Sequence, residues 1–212
     1  MLNVGLTGGI ACGKSTVSEM FIRHGAHLID FDQLAHKVEK PGQPAWGKIV
    51  QYFGESILLP DKNIDRYKLA QIVFADSQKL KTLNGIVHPY VSNEWKTLLE
   101  KIEKKEKNVI ILSDVPLLFE ENMQHLFDLT LLVLISPAEQ IQRLIARNGL
   151  SRDEAKKRLM NQMQIGEKAR LADIVIDNQK TVAETEKKVE EVWQKLLKIE
   201  RNKTQHKSRE KT

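Results

Sequence analysis

Eight residues near the N-terminus, Gly8-Gly9-Ile10-Ala11-Cys12-Gly13-Lys14-Ser15, carry the spacing G-x-x-x-x-G-K-[ST]. That spacing belongs to phosphate chemistry. Backbone N–H groups of such a loop, together with the N-terminus of the helix it opens, face an anion that the helix dipole also favours. Gly9, Ala11, Cys12 and Gly13 would then cradle the α- and β-phosphates of a nucleotide, Lys14 would bridge the β- and γ-phosphates, and Ser15 would bind Mg²⁺. Thr16 extends the same first turn. The alternative is a glycine-rich turn needed only for close packing. No Asn-Lys-x-Asp segment for reading guanine occurs, so ATP is the expected nucleotide and the chemistry of a kinase, with an acceptor site elsewhere, is the expected activity.

Carboxylates supply the remaining chemistry. Asp30 and Asp32, in Ile29-Asp30-Phe31-Asp32, end an expected second strand, and ligands of an open parallel sheet collect at such ends. Their spacing points both the same way if the strand continues, one accepting a hydroxyl proton and the other positioning water around Mg²⁺. Alternatively, one of them caps a helix starting near Leu34. Asp114 follows the third strand, a suitable place for a carboxylate that holds the water shell of Mg²⁺. Glu120, in Pro-Leu-Leu-Phe-Glu, either faces an acceptor cleft or ends a turn.

Among the cations, Arg143 and Arg147 share a helix face at i and i+4, where closing over ATP they would neutralise charge on the transferring group. A solvated face paired with Glu139 is the other reading. Lys168 and Arg170 are further candidates for the same task. His88 precedes Pro89, which favours an extended conformation on a loop or helix break, either lining an acceptor pocket or packed and neutral. Asn178 either contacts the nucleotide base or forms an ordinary Asp-Asn turn. Cys12 lies beside Lys14 and a helix N-terminus, both of which favour the thiolate, so an exposed, oxidant-sensitive thiol protected by ATP is expected.

Positioning these groups requires an α/β fold. Short apolar runs at Val4–Thr7, Leu28–Asp30, Val109–Ser113, Leu129–Ile135 and Ile174–Ile176 have the character of buried parallel strands. Helical patterns intervene at Lys14–Arg23, Asp65–Phe74, Lys79–Lys105, Pro137–Arg147, Ser151–Met163 and Val182–Ile199. About eighty residues separate the second strand from the third, far more than a simple crossover needs. The expected organisation is a core of residues 1–31, 108–137 and 170–199, a helical insertion over 32–107, a lid over 138–169, and a disordered basic tail over 200–212.

The chain has 212 residues, 41% of them hydrophobic, enough for a full core without disulfides. Its net charge of +5 is concentrated in the last fifteen residues, so the body is close to balanced. A solvated tail is the expectation there, with nonspecific nucleic-acid or membrane binding as the alternative. One cysteine excludes an internal disulfide, a strand rather than a leader opens the chain, and no segment approaches the roughly 20 apolar residues of a membrane span. A cytoplasmic protein is expected.

The sequence resembles the dephospho-coenzyme A kinase family. The resemblance rests on Leu6-Thr7-Gly8-Gly9-Ile10, Gly13-Lys14-Ser15-Thr16, Ile29-Asp30-Phe31-Asp32, Pro41-Gly42-Gln43-Pro44-Ala45, Asp65-Arg66, His88-Pro89, Val115 to Glu120, Gln140 to Arg147, Gln162, and Ala172-Asp173 followed by Ile176-Asp177-Asn178. It implies a P-loop nucleoside triphosphate hydrolase fold, with a parallel five-stranded sheet flanked by helices. It also implies transfer of the ATP γ-phosphoryl group to the ribose 3′-hydroxyl of dephospho-CoA. Asp32 is then the general base. Thr7, Asp32, Arg66, His88 and Glu120 are candidates for binding the acceptor, and Arg66 either holds a phosphate of the CoA moiety or caps the helix that Asp65 begins. Ala11 and Cys12 depart from the family's usual Gly and Ser, without removing a backbone donor. A kinase of another small acceptor, and a nucleotide-dependent regulatory or nucleic-acid-binding module, remain as alternatives.

Overall fold

The computed structural model describes residues 1–209, with side chains described through residue 205. The strands are β1 (Leu2–Gly8), β2 (His27–Asp30), β3 (Ile110–Asp114), β4 (Leu129–Leu134) and β5 (Ile174–Asp177). They form one sheet in the order β2-β3-β1-β4-β5. β1 lies at its centre, parallel to β3 with Leu2 opposite Ile110 and to β4 with Val4 opposite Leu129. Every residue of β1 is buried, which accounts for the continuous apolar reading of that strand.

Side chains alternate between the two faces of the sheet. Leu2, Val4, Leu6, Ile110, Leu112, Leu131 and Val133 enter one core with α1 (Lys14–Arg23) and α9 (Val182–Arg209), which contribute Val17, Met20, Phe21, Val189, Val192 and Trp193. The intervening positions include buried polar groups, and these are paired. Ser113 donates its hydroxyl to the Asn3 Oδ1 at 2.9 Å, and Thr130 donates its own to the Asp173 carboxylate at 2.7 Å. Burial without such partners would cost more than the hydrogen bonds return.

The chain divides into two compact units, one of Met1–Ile29 with everything from Glu106 onward, the other of Asp30–Lys105. The first also holds α6 (Pro137–Asn148), α7 (Arg152–Met160) and α8 (Ile165–Leu171). Where one helix was expected from Ser151 to Met163, Ser151 caps α7 and the chain turns before α8, which lies against β4.

The second unit is built from α2 (Phe31–Val38), α3 (Pro44–Phe53), α4 (Arg66–Phe74) and α5 (Ser77–Lys105). Phe31 packs against Trp95 with ring centroids 5.6 Å apart. α2 begins at Phe31, three residues before the expected start, because Asp30 caps it. α5 runs through Pro89, so the helix break expected at His88 does not occur. Pro89 has no N–H to donate to the helix, and packing of α5 on α2, α3 and α4 outweighs the missing donor.

The expected disordered tail is also corrected: α9 continues through Arg209. Glu200 is buried and accepts the Met1 ammonium at 3.3 Å, and Lys203 pairs with Asp128 at 2.5 Å, so the start of the segment has partners on the body. Residues 210–212 of that expected tail lie outside the described residues. No helix among the described residues is long and apolar enough to cross a membrane.

Candidate active site

The loop between β1 and α1 forms an anion cradle from backbone geometry. Gly13 sits at φ 83° as the N-cap of α1, with no side-chain cap and no acidic residue in the first turn. The N-terminus of α1 thus carries no cap from the Gly13 side, and the helix dipole favours an anion there. Gly13 is required twice over, by its left-handed φ and because a Cβ would run into the Asn178 amide and lie 3.3 Å from Arg143. Ala11 also has positive φ, 59°, which a side chain tolerates only with strain.

Lys14 contacts the Asp114 carboxylate at the end of β3. The residue expected on the phosphates and the one expected beside Mg²⁺ are thus neighbours. Ser15 and Thr16 are exposed on the first turn of α1. The oxygen-donor set of Ser15 and Asp114 suits a hard cation such as Mg²⁺.

Arg143 reaches the loop from α6. Its Nε donates to the Glu139 carboxylate at 3.1 Å and its Nη2 to the Asn178 carbonyl at 3.3 Å, so the ion pair and the position by the phosphate loop coexist. Arg147 is one turn farther out, exposed, donating to Asn148 at 3.0 Å. The two arginines therefore do not converge on the loop.

Several expected ligand contacts are instead supports of the loop. Asn178 donates its Nδ2 to the Cys12 carbonyl at 2.8 Å and accepts the Thr185 hydroxyl at 2.8 Å, so both ends of its amide are engaged and it braces the loop instead of reading a base. Thr7 is fully buried and donates its hydroxyl to the Pro116 carbonyl at 3.2 Å. Cys12 is 2% exposed, and burial pushes its thiol above the ordinary range despite the nearby N–H and charge of Lys14. The exposed thiolate expected there is overturned, because the side chain points into the core beneath the loop.

Glu120 and Lys168 are corrected together. Lys168 has no exposed surface, and its ammonium lies 2.7 Å from the Glu120 carboxylate. The expected solvent-facing cation at 168 is thus a buried partner of Glu120. Two glutamines complete the loop's surroundings: Gln140 donates to the Ile10 carbonyl at 2.8 Å, and Gln162 accepts the Ile10 N–H at 2.8 Å. A Cβ at Gly9 would collide with the Gln140 amide. Gln140 is 1% exposed although polar, and its place one turn before buried Leu144 was the only signal of that burial in the sequence. Gly9, Gln140, Gln162 and Ile165 line a cavity of about 500 Å³ with Met160 and Met163.

In the second unit the two aspartates separate into distinct roles. Asp30 accepts the N–H groups of Asp32 at 2.8 Å and Gln33 at 3.1 Å, and so is the helix cap. Asp32 is in the first turn of α2, exposed, with no hydrogen bond to its carboxylate among the described residues. The side-by-side strand arrangement expected of the pair does not form. Arg66 pairs with Glu39 at 2.7 Å, while the cap of α4 is Asp65, which accepts the Lys68 N–H at 3.0 Å. Burial pushes the Glu39 carboxyl upward, against the lowering effect of Arg66. These two, with His36, Lys40 and Asn63, line a cavity of about 250 Å³. His88 is exposed on α5.

The chain matches the model of the dephospho-CoA kinase family over residues 2–184. It is 49% identical over 201 residues to the dephospho-CoA kinase of Syntrophus aciditrophicus, covering 95% of this chain and 86% of that protein. Among solved structures, a protein of Thermus thermophilus has a TM-score of 0.78 at 31% identity, covering 92% of this chain and 97% of its own. The dephospho-CoA kinase of Campylobacter jejuni has a TM-score of 0.69 at 29% identity, with the same coverage. A phosphate loop built from backbone donors, carried on this strand order and matched along nearly the whole sequence, places the chain in the dephospho-CoA kinase family.

Proposed function

We propose that this protein transfers the γ-phosphoryl group of ATP to the ribose 3′-hydroxyl of dephospho-CoA, giving CoA and ADP, the last step of coenzyme A biosynthesis. The observation that carries this reading is the uncapped N-terminus of α1, with Lys14 and Asp114 in contact beside it, in a chain of this family. Asp32 takes the 3′-hydroxyl proton as the oxygen bonds to the γ-phosphorus, and the bond to the bridging oxygen breaks with its electron pair leaving on ADP. Lys14 spans the β- and γ-phosphates, and Arg143 neutralises charge developing on the transferring group. Arg66 and His88, in the unit of Asp30–Lys105, bind the acceptor.

Ser15 and Asp114 would hold Mg²⁺, Ser15 directly and Asp114 through water. When bound, the ion neutralises charge on the phosphate oxygens. Residues 138–169 act as a lid, and the protein works in the cytoplasm. An ADP-release assay over a panel of acceptors, including dephospho-CoA, nucleoside monophosphates and shikimate, tests the reading. A rate with dephospho-CoA well above all others is the expected result; equal or greater turnover of another acceptor refutes it.

A further inference from the structure

Glu120 lies in the segment after β3, Gln162 and Met163 in the turn between α7 and α8, and Lys168 on α8. One carboxylate oxygen, Glu120 Oε1, receives both the Lys168 ammonium at 2.7 Å and the Met163 N–H at 3.0 Å. The neighbouring side chain, Gln162, accepts the Ile10 N–H at 2.8 Å. The ion pair is close but misaligned for a hydrogen bond, and both Glu120 Oε2 and Lys168 Nζ are buried without a hydrogen-bond partner.

Packing alone does not account for such a pair. A fully buried ammonium paired with a half-buried carboxylate, with hydrogen-bonding capacity left partly unused, is a poor source of stability, since apolar residues of similar volume do as well or better. What the pair does have is a grip on the backbone next to the glutamine that holds the phosphate loop. The Lys168 charge fixes the Glu120 carboxylate, the carboxylate fixes the Met163 amide, and Gln162 is thereby aimed at Ile10.

We infer that Glu120 and Lys168 are positioning residues which, through Met163 and Gln162, hold the crest of the phosphate loop at Ile10 in the geometry used for phosphoryl transfer. This rests on the kinase reading for its kinetic consequence, but its structural half stands without turnover. Small displacements of reacting groups are sufficient for large rate losses, about 10²-fold for an error near 1 Å.

The test uses variants that leave no unpaired buried charge. Glu120→Leu with Lys168→Met removes both charges and the acceptor of the Met163 N–H; Glu120→Gln with Lys168→Met removes both charges and keeps an acceptor. Hydrogen exchange of the peptide containing Ile10 is followed without acceptor, and kcat/KM for ATP is measured on folded enzyme. The Leu/Met pair and Gln162→Ala should each accelerate exchange and lower kcat/KM by roughly 10- to 100-fold. The Gln/Met pair should recover most of both. Adding Gln162→Ala to the Leu/Met pair should cost less than about twofold more, since the changes act along one chain of contacts.

Parental exchange at Ile10 and parental kcat/KM in the Leu/Met pair, whatever its melting temperature, would reduce the ion pair to a structural element and overturn the inference. Losses that multiply in the combined variant would overturn it too. If the exchange results hold while no variant or parent turns over dephospho-CoA, the failure lies with the proposed function.

Discussion

Asp30 and Asp32 are two residues apart, and substitution of each separates stability from catalysis. Asp30 Oδ1 accepts two backbone N–H groups at the start of α2, at 2.8 and 3.1 Å. Loss of such a cap on replacement by alanine costs about 1–2 kcal/mol. For a chain of this length each kcal/mol moves the melting temperature by about 2–4 °C, so Asp30→Ala should melt roughly 2–8 °C lower. Asp30→Asn keeps an acceptor oxygen and should stay within a few tenths of a kcal/mol of the parent.

Asp32 caps nothing, and Asp32→Asn forfeits only its favourable place in the first turn of the helix, about 0.3–1 kcal/mol. Its kinetic effect should be far larger. General-base assistance contributes about 10²–10⁴-fold, equivalent to roughly 3–5 kcal/mol of barrier. The assay is kcat from ADP release at saturating ATP and dephospho-CoA, with the melting temperature of each variant recorded alongside. An Asp32→Asn enzyme with near-parental kcat would refute the assignment of the base. So would an Asp30→Asn enzyme that melts normally but loses a hundredfold in kcat.

Three further outcomes are expected. Cys12, buried and with its thiol pushed upward, should resist alkylation and peroxide in the folded protein, so Cys12→Ser should lose activity to peroxide no more slowly than the parent; slower loss would show an accessible thiolate. Ala11→Gly relieves about 1–2 kcal/mol of left-handed strain at φ 59° against about 0.4–1 kcal/mol of added freedom in the unfolded chain, for a net gain between zero and about 1.6 kcal/mol by urea unfolding; a clear destabilisation would contradict the strain. Glu39, whose carboxyl is raised by burial, stays protonated in the folded state after the unfolded chain has ionised, so it makes stability fall as pH rises from the ordinary carboxylate range through its folded value. Glu39→Gln should remove that downward slope, and unfolding curves across the window will show whether it does.

The sequence by itself determined the elements whose cause is local. The G-x-x-x-x-G-K-S run reads as a phosphate loop because its donors belong to the backbone and to the helix that follows, and α1 occupies Lys14–Arg23 as expected. The strands were legible because both faces of a parallel sheet are covered, which leaves apolar runs whatever packs on them. Side-chain roles set by distant partners were not legible. Asp30 and Asp32 could be told apart only once the strand ended and the helix began between them. Lys168 looks like any exposed cation until the fold buries it against Glu120, and Asn178 looks like a turn until β5 carries it to the carbonyl of Cys12. The C-terminal segment has no apolar stripe to announce a helix, yet α9 continues through it, with Glu200 set against the amino group of Met1 and Lys203 against Asp128. Local sequence encodes periodicity and backbone geometry, whereas burial of a charge and the choice of its partner are decided by whichever segments the tertiary fold brings together.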